Sequence, residues 1–105
     1  MKLDKRVERH TQSVVALRDY LRAVTSNAKE FLDNASLYEA LQAQGALAKL
    51  SVQDRGIFGA SLNTVKRIAD KAVEGGFAAL DRLRRGALEA IATEKAKSQQ
   101  SNKVN

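Results

Sequence analysis

The stretch Ser61-Leu-Asn-Thr-Val-Lys-Arg-Ile-Ala-Asp-Lys-Ala-Val-Glu-Gly-Gly76 decides how the rest of the chain is read. Ser61 offers a hydroxyl to the first free amides of a helix, and Leu62, Val65, Ile68, Ala69, Ala72 and Val73 recur at helical spacing. Gly75 and Gly76 supply a left-handed exit. The segment therefore predicts a helix over 62–74 with one apolar side and an opposite side bearing Asn63, Thr64, Lys66, Arg67, Asp70 and Lys71. An arginine forks onto guanine O6 and N7, and an asparagine onto adenine N6 and N7. Asn63, Thr64, Lys66 and Arg67 are thus candidate readers of base edges in a major groove, and Ser61 and Lys71 candidate phosphate contacts. An amphipathic surface helix whose polar face is merely solvated has the same pattern.

Working toward the N-terminus, Gly56-Ile-Phe-Gly-Ala60 reads as a compact connection in which Ile57 and Phe58 are buried between two glycines. Ser51-Val-Gln-Asp54 resembles a capping box and predicts a very short helix that Gly56 stops. Ser36-Leu-Tyr-Glu39 is a second such box, predicting a helix from Leu37 with Leu37, Ala40, Leu41, Gln44 and Ala48 along one stripe. Gly45 predicts a break in it, or a separate helix over 46–50. The order 46–50, 52–55, turn, 62–74 is the layout of a helix-turn-helix, with a five-residue link from Gly56 to Ala60 where three or four are usual.

Leu3, Val7, His10, Val14, Leu17, Leu21 and Val24 alternate spacings of four and three, which predicts a long amphipathic first helix over 4–24 with a heptad seam. Two uses compete for that seam. It packs on the chain's own later helices, or it pairs with its twin in a homodimer through Val7, Val14, Leu17 and Leu21; three heptads are short for a free coiled coil, which favours the first. His10, the single histidine, has no second metal-ligating side chain at helical spacing and is read as structural. Thr25-Ser26-Asn27 reads as a break, followed by a short helical turn in which Phe31 and Leu32 plug the core.

Toward the C-terminus, Phe77, Leu80, Leu83, Ala87, Leu88 and Ile91 predict a last helix over 77–92. Arg82 and Arg85 lie on its outer side, either simply solvated or as further phosphate contacts. From Thr93 polar residues take over, predicting a disordered basic tail over 93–105 beside a single helical domain over 1–92.

Composition agrees with this layout. The chain has 105 residues, no proline and no cysteine, only two tyrosines and three phenylalanines, and abundant Ala and Leu, which predicts an all-α fold of four to five helices. There is no thiolate metal site or disulfide, no apolar leader after the charged N-terminus and no run long enough to cross a membrane, so the expectation is a cytoplasmic protein without membrane contact. The net charge is +6, with basic residues in excess in 1–25, 61–92 and 93–105 and a near-neutral middle. Such a balance favours a polyanionic partner such as double-stranded DNA. The motifs of nucleotide, serine-hydrolase or metal chemistry are missing, so neither enzymatic activity nor a cofactor is expected.

The block Ser36-Leu-Tyr-Glu-Ala-Leu-Gln-Ala-Gln-Gly-Ala-Leu-Ala48, with Gly56-Ile57, Ser61-Leu-Asn-Thr-Val-Lys-Arg67 and Glu74-Gly-Gly-Phe-Ala-Ala-Leu-Asp-Arg-Leu-Arg84, resembles small bacterial helix-turn-helix proteins encoded beside integrases on mobile elements. Over about residues 5 to 92 it is similar to accessory proteins of the gamma-mobile-trio kind. The resemblance implies a sequence-specific DNA-binding accessory or transcription regulator acting in DNA recombination, with Ser61–Arg67 in the recognition helix and an integrase or recombinase as partner. The competing class is a helical protein-interaction module, such as an antitoxin, adaptor or assembly factor, that uses the first helix's seam.

Overall fold

A computed structural model describes residues 5–103, with side-chain environments from Glu8 to Ser98, and the fold is all-α. Its helices are α1 (Lys5–Ser26), α2 (Ala35–Ala40), α3 (Gln44–Ala48), α4 (Leu62–Ala72) and α5 (Gly76–Lys103), with 3-10 turns at Ala28–Phe31 and Gln53–Arg55. α1, α4 and α5 pack mutually, and the short α2 and α3 close the remaining side. The seam of α1 faces inward: Val14, Leu17, Leu21 and Val24 join one core with Leu37, Leu41, Leu47, Ile57, Val65, Ile68, Leu80, Ala87 and Ile91. Each valine, leucine or isoleucine among them contributes about 1.5–3 kcal/mol on burial, which outweighs the weak intrinsic stability of the individual helices. Intramolecular packing thus consumes Val14, Leu17 and Leu21, leaving them no surface for a second copy, while Leu3 and Val7 lie outside the described side chains.

The break expected at Thr25-Ser26-Asn27 is present, with the 3-10 turn Ala28–Phe31 after it, and its side chains also extend the helix they follow. Thr25 Oγ1 donates to the Leu21 carbonyl at 3.0 Å and Asn27 Nδ2 to the Ala23 carbonyl at 3.3 Å, so α1 continues to Ser26 rather than ending at Val24. α2 begins at Ala35, capped by Asn34, whose side chain accepts from the Leu37 amide at 3.0 Å; Ser36 is inside the helix, not its cap. The chain breaks before Gly45 rather than at it, and Gly45 is helical within α3. Arg84 explains the place of the break: it donates to the Leu41 carbonyl at 2.8 Å, holding the end of α2, while Asp81 holds Arg84 at 2.8 Å. The 28 residues of α5 carry the helix well past Ala92, in place of the tail expected from Thr93. Thr93–Lys103 contains no glycine or proline, and Lys, Glu, Ala and Gln are adequate helix formers. The Lys95 ammonium also lies 3.8 Å from the centre of the Tyr38 ring, tying this extension to α2.

The α3–α4 connection is longer than the expected five-residue link, running from Lys49 to Ser61, because the helix expected over 52–55 is instead a 3-10 turn at Gln53–Arg55. Val52 and Ile57 exchange backbone hydrogen bonds of 2.9 and 3.1 Å around it, and Gly56 closes the loop at φ +72°. Ser51 does not cap the turn; its hydroxyl donates to the Ile57 carbonyl at 3.3 Å. The chain then returns along α3, the Ala60 amide bonding the Ala48 carbonyl at 2.8 Å. Gly59 passes so near Lys49 that a Cβ there would collide with the Lys49 carbonyl oxygen. Ile57 is buried as expected, whereas Phe58 is 45% exposed. Its backbone is fixed by buried Ser13 of α1, whose hydroxyl accepts from the Phe58 amide at 2.7 Å and donates to its carbonyl at 3.0 Å. Those two bonds point the Phe58 backbone inward.

Candidate nucleic-acid interface

α4 is built as its sequence predicts, with one revision at its end. Ser61 is the N-cap: its hydroxyl accepts from the Thr64 amide at 3.3 Å and donates to Thr64 Oγ1 at 2.8 Å. Val65, Ile68 and Ala69 are buried against α1 and α5. The helix stops at Ala72 rather than Glu74 because Val73 turns extended, and Gly75 and Gly76 follow at φ +84° and +69°, a region costly for residues with a Cβ. The reversal that results sets α5 against α4, and Asp70 secures it: its carboxylate accepts from the Phe77 amide in the first turn of α5 at 2.9 Å.

The outward face of α4 carries Asn63, Lys66, Arg67, Asp70 and Lys71, all exposed. Two of these reach toward α5, Asp70 through that bond and Lys66 through its ammonium, 5.6 Å from the centre of the Phe77 ring. Asn63, Arg67 and Lys71 form no hydrogen bond or ion pair among the described residues. Thr64 is half-buried on the α1 side, its hydroxyl joined to Ser61, and so sits less openly than the other three candidate base readers. Ser61 is likewise occupied as a cap, though its side of the helix is exposed.

The basic residues form two groups. On the α5 side Lys66 and Arg85 line a surface hollow with Gln44, Asp70, Phe77 and Asp81. On the α1 side Arg67 and Lys71 line another with His10, Thr11, Thr64 and Ile68. Asn63 belongs to neither, and Arg82 lies by Gly75 beyond the C-terminal end of α4. Arg85 is mostly exposed and meets Asp81 at 3.4 Å, a geometry that contributes little and leaves it able to reach a phosphate. Arg84 is different, being enclosed and spent on Asp81 and Leu41. Burial pushes the Asp81 carboxyl up, and hydrogen bonds from Arg84 and Gln44 together with the charges of Arg84 and Arg85 more than offset this, leaving it below the ordinary carboxylate value.

The sequence does not expose every part of this arrangement. Ser13 sits one residue before a seam position and gives no signal of its own, and the capping role of Asp70 depends on a reversal that only Gly75 and Gly76 hint at. Among the described residues no His, Cys, Asp and Glu group of three or more could hold a metal, and no helix is long and apolar enough to cross a membrane. No protein family matches the chain, and no curated protein or solved structure does so either.

Proposed function

We propose that the chain is a non-enzymatic, sequence-specific DNA-binding protein that lays the N-terminal half of α4 along a major groove, as a regulator or recombination accessory in the cytoplasm. The observation that carries the reading is a capped helix anchored by Val65, Ile68 and Ala69 whose opposite face presents Asn63, Arg67 and Lys71 without partners among the described residues. Polar groups held on a rigid element and left unpaired lose little on meeting a base edge or phosphate. Arg67 and Asn63 stand about one turn apart and read neighbouring base pairs, with Lys66 beside them. Lys71, Arg82 and Arg85 hold the backbone. The resemblance to proteins encoded beside integrases makes a recombinase on the same DNA the natural protein partner. The competing interaction module on the α1 seam loses its surface to the core, since Val14, Leu17 and Leu21 are buried there.

Selection from a random duplex pool at low salt, followed by binding isotherms at several salt concentrations, tests the reading. Arg67→Ala should cost about 1–3 kcal/mol on the selected duplex and relax discrimination at one position. Lys71→Ala should weaken selected and scrambled duplexes alike and reduce the magnitude of the salt slope by about one unit. Equal losses on both duplexes for Arg67→Ala would remove the base-reading role, and no duplex binding by the parent at low salt would end the DNA-binding reading.

A further inference from the structure

The hollow between α1 and α4 has a chemistry that a groove-facing helix does not itself require. It encloses about 460 Å³ and is lined by His10 and Thr11 of α1 and by Thr64, Arg67, Ile68, Lys71 and Ala72 of α4. Ile68 and Ala72 are four apart and give it a strip of apolar floor; Arg67 and Lys71, also four apart, stand on its rim. Neither cation is paired among the described residues. Side chains at this spacing start about 5–6 Å apart at Cβ, close enough for one carboxylate to accept from both. The Ser61 hydroxyl donates to Thr64 Oγ1, so the Thr64 proton remains available to a ligand in the hollow.

We propose that this hollow binds a small amphipathic carboxylate, its anionic head between Arg67 and Lys71 and its hydrocarbon body over Ile68 and Ala72 against α1. Charge complementarity selects the head, since among the described residues the hollow's lining holds the cations Arg67 and Lys71 and no carboxylate. The apolar strip selects a carbon body over a free phosphate, which would gain nothing from Ile68 and Ala72. Arg67 and Lys71 also belong to the proposed DNA face, so an occupied hollow withdraws two cations from the duplex and makes the ligand an antagonist of DNA binding.

The test is an amide NMR titration of the full chain with sodium hexanoate, octanoate and decanoate at constant ionic strength, with octanol as the uncharged control. It contains no DNA, so its outcome stands apart from that of the DNA-binding reading. Shifts should concentrate at residues 10–11 and 64–72, and each methylene buried should tighten binding by roughly fourfold. Arg67→Gln and Lys71→Gln, both at exposed positions, should each weaken octanoate by about tenfold without lowering the melting temperature. Octanol should bind no better than the octanoate complex of the doubly substituted chain. Shifts centred elsewhere, affinity indifferent to chain length, or a double variant that holds octanoate as tightly as the parent would each overturn the proposal.

Discussion

Ser13→Ala removes one oxygen and should unsettle the connection that leads into α4. Ser13 is only 4% exposed, and its hydroxyl makes bonds of 2.7 and 3.0 Å to the amide and carbonyl of Phe58, 45 residues away. The net value of each bond is about 0.5–1.5 kcal/mol, and a buried amide left without an acceptor costs about 1–3 kcal/mol. The orphaned amide is the larger loss, so the expected destabilisation is about 2 kcal/mol. For a domain of this size that lowers the melting temperature by about 8 to 16 °C. Ser51→Ala is the matched control, because Ser51 is exposed and its bond to Ile57 is a long 3.3 Å; it should change stability by less than about 0.5 kcal/mol. Thermal and urea unfolding followed by circular dichroism measure both. A Ser13→Ala protein melting within 2 °C or so of the parent, or no more perturbed than Ser51→Ala, would refute the claim that this clamp fixes the connection.

Two glycines should respond in opposite directions to alanine. Gly59→Ala places a Cβ against the Lys49 backbone and should destabilise by about 1–3 kcal/mol, whereas Gly45→Ala meets nothing within 4 Å inside α3 and should stabilise by about 0.5–1 kcal/mol; urea midpoints compare them. Val14→Asp puts an unpaired carboxylate in the core and should cost about 3 kcal/mol or more, so wild-type-like unfolding would contradict the packing of α1 on α4 and α5. Asp81 is held below its ordinary value, so its stabilisation is complete above its unfolded pKa and lost as pH falls through the lower folded one. Melting temperatures from neutral to acidic pH should therefore fall less steeply in Asp81→Asn than in the parent over that acidic window.

Periodicity made the long elements legible because burial enforces it. The α1 seam at Val14, Leu17, Leu21 and Val24 and the α4 stripe at Val65, Ile68 and Ala69 both lie in the core, and Ser61 caps α4 as its position predicts. The short elements were less legible because a capping side chain chooses among nearby amides and carbonyls. Asn34 wins over Ser36 at α2, and the Thr25 and Asn27 side chains bond backward into α1, leaving the turn Ala28–Phe31 without a side-chain cap. Phe58 is misread for a related reason: hydrophobicity alone places it inside, but adjacent Ile57 takes the core position and the Ser13 bonds fix the backbone between them. At the candidate site the residue types were readable, but their commitments were not. Lys66 and Asp70 meet a helix that follows them by a reversal, and no local spacing records that contact.

Those commitments divide α4 lengthwise and shift the weight of the proposed interface. On the α5 edge, Asp70 is bound to the Phe77 amide and Lys66 lies over the Phe77 ring, so engaging either with a duplex first costs an existing interaction. Lys66 retains its charge but gives up about 0.5–1 kcal/mol of ring contact if it leaves. On the α1 edge, Arg67 and Lys71 have nothing to surrender among the described residues, and Asn63 lies one turn before Arg67. A duplex approaching α4 therefore gains most when it tilts toward α1, away from the carboxylates of Asp70 and Asp81 that share the other hollow with Lys66 and Arg85. The same tilt brings phosphate and ligand carboxylate into competition for Arg67 and Lys71. One helix edge thereby accounts for both proposed binding events, while the other keeps α4 registered on α5.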